Sequence, residues 1–194
     1  MSPRQPSTDQ EIAAYTIGPR APLNGPVELA DYDARWPELF AREAARIRDA
    51  LGDRVLRLEH TGSTSVPGLA AKPRIDIVME VADSADETAY LPALEAAGYR
   101  LHIREPHWHE HRVVKGPDTD VNLHVFSRGS TETTRMIAFR DWLRGHPEDR
   151  ERYERVKREL AARTWRHTQH YADAKTDVVE EIMARALAAN PGDA

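Results

Sequence analysis

The chain has 194 residues, 40% of them hydrophobic, which is enough for one domain with a real core and too little for two full ones. A net charge of −5 argues against broad binding to nucleic-acid backbones. The absence of cysteine removes disulfides, thiol nucleophiles and thiolate metal sites. The opening "MSPRQPSTDQE" has no apolar run and no later segment reaches membrane-spanning length, so a cytoplasmic location is expected.

Residues 1–25 carry repeated Pro and Gly and few large apolar groups, and read as a mobile tail or an arm laid on the surface. Residues 26–190 read as a single domain. Pro26 to Leu29 is an expected short strand. In "DYDARWPELF" Asp33 is an N-cap candidate, Trp36 and Phe40 are one turn apart, and Pro37 suits a first turn, so a helix is expected to Leu51, stopped by Gly52. A strand near Val55 to Leu58 precedes the run "EHTGSTSVPGLAAKPRIDIVMEV". Within it, Arg74 to Val81 alternates as a strand, with Ile75, Ile77 and Met79 on one face and Asp76, Val78 and Glu80 on the other.

"DSADETAYLPALEAAG" reads as a capped helix ending at Gly98, "YRLHI" as a strand, and "REPHWHEH" as a loop or irregular edge. A hairpin follows: strand Arg112 to Val114, turn at Gly116 and Pro117, strand Val121 to Phe126. From Thr131 three helices are expected, in "TETTRMIAFRDWLRGHP", "PEDRERYERVKRELAART" and "DAKTDVVEEIMARALAAN", with Trp142 and Trp165 in the core. The order predicts a mixed sheet covered by helices, an α/β or α+β domain.

Several residues carry candidate chemistry. Gly62 allows a close backbone approach, Ser63, Thr64 and Ser65 offer hydroxyls and N–H groups in a row, and Lys72 adds a point charge. The spacing is not that of a P-loop, and a capped turn between two strands accounts for the same residues. Asp76 inside "RIDIV" needs water, a cation or a metal nearby, so an edge salt bridge and a functional carboxylate both fit. Glu80 shares its face but lies about 13 Å away in an extended strand.

His107, His109 and His111 alternate, so in an extended chain they share a face and suit zinc, whereas the alternative is ordinary surface histidine. His124 shares a face with Asn122, and the hairpin is expected to bring Arg112 near His124. Arg140, Lys157, Tyr171 and Lys175 lie on the C-terminal helices, with Tyr171 and Lys175 one turn apart; packing beside solvated charges explains each singly.

"DYDARWPELFAREAARI", "EHTGSTSVPGLAAKPRIDI", "LHVF", "AFRDWLRGHPEDRERYERVKREL" and "YADAKTDVVEEIM" together resemble the GrpB-like family, an uncharacterised protein family, from about Val27 to about Ala188. That family is similar in fold to the nucleotidyltransferases. The resemblance therefore implies an α+β fold with a mixed sheet flanked by helices and a helical C-terminal part. It further implies a Gly-Ser turn at Gly62 and Ser63, and an acidic metal position at Asp76. The chain departs from the nucleotidyltransferase carboxylate set, since Arg74 and Val78 occupy the neighbouring positions and Asn122 and His124 stand where a third acid is usual. Arg74 and Thr61 also replace residues more often apolar in the family. GrpB-like domains fused to a coenzyme A biosynthetic kinase point to nucleotide or coenzyme-related chemistry.

The leading expectation from that resemblance is a magnesium- or manganese-dependent nucleotidyl transfer from an NTP to a small-molecule or protein acceptor. Gly62, Ser63, Thr64 and Ser65 would hold phosphates, and Asp76 would bind the metal with Asn122. His124 would be a ligand or general base, while Lys72, Arg112 and Lys175 would neutralise phosphate charge. A non-catalytic nucleotide or phosphometabolite sensor on the same fold is the second expectation. A zinc or other transition-metal enzyme using His107, His109, His111 and His124 is the third. A purely structural or partner-binding role is the fourth.

Overall fold

The computed structural model describes residues 7–18 and 22–189. Its helices are α1 (Asp9–Tyr15), α2 (Trp36–Leu51), α3 (Leu91–Ala96), α4 (Thr131–Gly145), α5 (Pro147–Ala161), α6 (Thr168–Asp173) and α7 (Thr176–Ala189). The strands are β1 (Arg57–Thr61), β2 (Ile75–Val81), β3 (Arg100–Glu105), β4 (His111–Lys115) and β5 (Val121–Ser127). They form one mixed sheet in the order β1-β2-β5-β4-β3, in which only β2 and β5 run parallel.

Side-chain alternation gives the sheet two different faces. Ile75, Ile77, Met79 and Val81 of β2 join Leu123 and Val125 of β5 on one face and pack with Ile47 and Leu51 of α2 and Leu94 of α3. Ile47 and Leu94 are fully buried, a contribution of about 1.5–3 kcal/mol each. The other face carries Asp76, Asn122, His124, Val113 and Lys115, because Asp76 pairs with Asn122, Val113 with His124 and Lys115 with Asn122. The C-terminal helices gather on that side around Val66, Leu69, Leu143, Tyr153, Val178 and Ile182. The result is the mixed α+β architecture with a helical C-terminal region that the chain order predicts.

Local chemistry explains the boundaries. The Asp33 carboxylate accepts the Arg35 N–H at 2.9 Å and its carbonyl accepts the Trp36 N–H, so α2 starts just after the expected cap. Gly52 ends it at φ +57°, a conformation that favours glycine.

Three expectations are corrected. Pro26 to Leu29 is not a strand: Val27 packs on Leu160, Ala161 and Tyr171, its N–H bonds to the Ala161 carbonyl, and only Ala30 bridges to Ala71. The helix ending at Gly98 shrinks to α3 after a 3-10 turn at Glu87–Ala89, because Asp83 takes the Ala85 N–H and buried Ser84 bonds Ser127 and the Glu110 carbonyl. The last expected helix, from Asp173, begins only at Thr176 as α7, after a turn at Ala174 and Lys175 and the short, unexpected α6. The loop expected in "REPHWHEH" is present: His109 and Glu110 have φ near +50° and turn the chain back into β4, so "HWHEH" lacks the extended form that would put its three histidines on one face.

Residues 7–18 form an arm across the molecule. Thr8 and Glu11 make a capping box for α1, Ile12 is buried, Ser7 N–H bonds to Asp173, and Thr16 bridges to Ile103. Residues 1–6, 19–21 and 190–194 lie outside the described residues.

Candidate functional site

A cleft of about 1050 Å³ opens between the polar face of the sheet, the turn after β1, the arm, and α4 to α7. Its sheet-side floor begins at Asp76. The turn at Gly62 has φ +66°, and a Cβ there would come within 2.5 Å of Asp76 Oδ2, so glycine is what lets the carboxylate lie against the backbone. Thr64 and Ser65 hold the turn. The Thr64 hydroxyl donates to the Arg74 carbonyl at 3.1 Å, and Ser65 Oγ donates to the Gly62 carbonyl at 2.6 Å. The Arg144 guanidinium grips the Ser65 carbonyl at 2.8 and 3.0 Å, and Arg140 ties the same region to α4 through the His60 carbonyl and Glu59.

Asp76 Oδ1 accepts the Asn122 amide N–H at 2.8 Å, and the Asn122 oxygen accepts Lys115 Nζ at 2.5 Å. Burial pushes the Asp76 carboxyl up, but His124, Lys72 and Asn122 together outweigh it and hold the group at about 2. The carboxylate is therefore ionised at neutral pH.

Four lysines line the same cleft: Lys72, Lys115, Lys157 and Lys175. Lys72 and Lys175 lie 5.6 and 4.7 Å from the Tyr171 ring centroid. Lys157 is 2% exposed and bonds to Ser63 Oγ at 3.0 Å and to the Ala70 carbonyl. Burial pushes all four down, and the remaining lysines or Arg74 add to the effect on Lys72, Lys115 and Lys157. Lys157 falls to about 7 and the other three to about 8. Among the described residues, Lys72, Lys157 and Lys175 make no ion pair within 4.0 Å. The cluster is rich in positive charge and short of anions.

The far end of the floor is aromatic. His111 Nδ1 is 2.7 Å from Glu105 Oε2, and His111 Nε2 is 2.9 Å from His124 Nδ1. His124 Nε2 lies 3.7 Å from Asp76 Oδ1. Phe126 and Trp108 pack on His111, with ring centroids 4.7 and 5.1 Å away. Burial pushes the His111 imidazole down to about 4.

The structure therefore brings together Gly62, Ser63, Thr64, Lys72, Asp76, Asn122, His124 and Lys175. Ser65 does not line the cleft and its hydroxyl is used within the turn. Arg112 is corrected more strongly. Its register places it opposite Val125, on the other face from His124, where its guanidinium pairs with Glu87 at 2.5 Å. His107 and His109 are exposed in the turn and do not join His111 and His124 as a four-histidine set. Sequence reasoning did not single out Lys115 or Glu105, and it named Lys157 without giving it a role in the site. Lys157 carried a signal, because it follows Tyr153 by four and precedes Leu160 by three, which puts a lysine on the apolar stripe of its helix.

Among the described residues, no group of three His, Asp or Glu side chains is gathered to hold a metal. Asp76 fits one divalent cation completed by ligand oxygens. The set does not fit two ions bridged by carboxylates, since the Asn122 oxygen faces an ammonium and the neighbouring strand positions are Arg74 and Val78. No helix among the described residues is long and apolar enough to cross a membrane.

The family model described as "GrpB protein" matches residues 26–185. UPF0157 protein BH1888 of Halalkalibacterium halodurans is 61% identical over 183 residues, 94% of each chain. A dephospho-CoA kinase of Mycolicibacterium paratuberculosis is 30% identical over 199 residues, which cover 89% of this chain and 49% of that protein. The crystal structure of conserved protein GrpB from Enterococcus faecalis superposes with a TM-score of 0.73 at 30% identity, covering 84% of this chain and 98% of that one. The cleft described above lies almost wholly within the matched region, and the chain belongs to the GrpB family.

Proposed function

We propose that the cleft binds a nucleotide or another phosphorylated small molecule through its phosphate groups. The observation that carries this reading is the convergence of Lys72, Lys115, Lys157 and Lys175 on one cleft with their ammonium groups desolvated and largely without carboxylate partners. A buried ammonium is costly until an anion reaches it. Phosphate oxygens supply that charge and accept several hydrogen bonds at once. The lysines thus do work that bound cations do at many phosphate sites, so binding is expected with little or no dependence on a divalent metal.

The test is titration calorimetry with ATP, ADP, coenzyme A and inorganic phosphate, each in EDTA and in Mg²⁺. Binding of a phosphate compound that persists in EDTA supports the reading. Absence of binding by every such compound in both conditions overturns it.

A second reading is nucleotidyl transfer on a nucleotidyltransferase-like fold, with one Mg²⁺ or Mn²⁺ held at Asp76 and by the ligand's phosphate oxygens. It is favoured by the ionised Asp76 beside Gly62 and the lysines. Such an ion would supply a Lewis acid for the phosphate, while Lys72 and Lys175 would balance charge on the departing group. Pyrophosphate release from an NTP that needs the metal and is lost in Asp76→Asn separates this reading from simple binding. Zn²⁺ in the same assay tests the histidine-based alternative.

A further inference from the structure

Residues 7–18 precede the stretch that the family model matches, and the phosphate reading makes no use of them. They nevertheless complete the cleft. Ser7, Glu11 and Tyr15 recur every four residues, so they share one face along α1, and all three line the cleft together with Thr16.

The arm is fastened to two opposite walls. At one end the Ser7 N–H donates to the Asp173 carboxylate at 2.8 Å, and His170 Nε2–H donates to the Ser7 carbonyl at 3.0 Å. Both partners belong to α6. At the other end the Ile17 N–H donates to the His102 carbonyl at 2.8 Å, and Thr16 bridges to Ile103, on the edge strand β3. The seven residues of α1, about 10 Å of helix, span the gap between the two.

These fastenings are slight beside the core. Ile12 is the only buried side chain among residues 7–18. Asp9 and Arg166 pair at 2.6 Å, but their side chains are 39% and 67% exposed, and such surface pairs contribute little. A segment held by one buried side chain and a few hydrogen bonds opens locally, at a free energy well below that of global unfolding.

We infer that residues 7–18 are a strap that leaves α6 to admit a ligand and closes over it again, so that the phosphate compound is enclosed whole and is not carried on a macromolecule. This rests on the reading of the cleft as a phosphate site. A phosphate attached to a protein chain brings that chain up against the arm, where it competes with the bonds to α6 and β3. A free small molecule fits beneath the closed arm.

Hydrogen exchange on the free protein tests the strap without a ligand. The α1 amides are expected to exchange about a hundredfold or more faster than those of β2, through an opening that leaves the sheet intact. Equal protection of α1 and β2 overturns the strap. Ile12→Asp then loosens it. Ile12 belongs to none of the three apolar clusters of the domain, and thermal melting confirms that the variant is folded. Stopped-flow fluorescence with mant-ATP reads ligand escape. The variant is expected to speed dissociation by about tenfold or more, with a much smaller change in association rate. An unchanged dissociation rate overturns closure over the ligand.

Competition by ATP coupled to serum albumin tests the size class. Wild type is expected to bind it about tenfold or more weakly than free ATP, and Ile12→Asp is expected to narrow the difference. Equal competition in wild type overturns the enclosed small ligand. Failure of mant-ATP and free ATP to bind wild type counts against the phosphate reading, while hydrogen exchange still decides the strap.

Discussion

The two faces of the sheet handle buried charge in opposite ways. On the α2 side, the Glu43 carboxylate is completely buried and fully answered. It accepts the Tyr99 hydroxyl at 2.6 Å and the Thr119 hydroxyl at 2.9 Å, and Arg46 lies 3.5 Å away. On the cleft side, Lys72, Lys157 and Lys175 lean on Tyr171 and Tyr153 around the ionised Asp76, and Lys115 has Asp120 3.7 Å away. The first arrangement is closed and contributes to the fold. The second is open and acquires its missing charge from outside.

The sharpest way to break this comparison is to remove one charge from each side. Glu43→Ala strips the acceptor from two hydroxyls and a guanidinium, and is expected to cost about 3–5 kcal/mol of stability. Ligand affinity per folded molecule should stay constant. Lys157→Met is expected to do the reverse. Affinity for a phosphate ligand should fall by about 30-fold, roughly 2 kcal/mol, with a much smaller change in stability because an isosteric apolar chain replaces a desolvated ammonium. Urea melts and calorimetry on both variants decide the matter. A Lys157→Met variant that unfolds as readily as Glu43→Ala would show that the two clusters are alike.

Gly62→Ala is expected to follow, with a loss of about 1–3 kcal/mol from positive φ and displacement of the Asp76 carboxylate. Any metal-dependent shift in melting temperature should vanish with it. Gly68→Ala is the control, since it has a similar φ of +78° and nothing within 4 Å of an added Cβ.

The smallest expected effect is in pH. Lysines held at about 7 to 8 bind fewer protons in the native state than in the unfolded chain, up to their ordinary value of 10.5. Stability of the free protein should therefore rise as pH increases from 7 towards 9, and the full cost of burying charged lysines should be present below about 7. A bound phosphate draws those values back up, so binding takes up protons and affinity should fall over the same range. Calorimetry at pH 8 in two buffers of different ionisation enthalpy reads that uptake directly, and a zero proton count would contradict it.

Much of this contrast was legible beforehand, and for stated reasons. Alternation in "RIDIVMEV" put Asp76 opposite the apolar residues, and the Gly-Ser turn beside it reads as a close backbone approach. The family resemblance rested on the same residues. What stayed hidden depended on distant partners. Glu43 in "FAREAARI" looks like one more solvated charge, and only Tyr99 and Thr119, 56 and 76 residues away, make it a buried one. Arg112 misled because a hairpin fixes which residues are near one another but its register decides which face each occupies. The histidine run reads as a loop, and two residues with left-handed backbone break the alternation on which a shared histidine face depends.

The parallel pairing of β2 with β5 has a consequence in time. Asp76 and Asn122 are hydrogen-bonded neighbours but stand 46 residues apart in the chain, with α3 and two strands between them. Closing such a loop carries an entropic cost before any contact rewards it, so pairings of this kind form slowly. The cleft is then among the last features to assemble during folding, and Lys157 and Lys175 reach it only once the C-terminal helices dock. A partly folded chain has no place for a phosphate ligand. Added ligand should therefore slow unfolding and leave the folding rate almost unchanged.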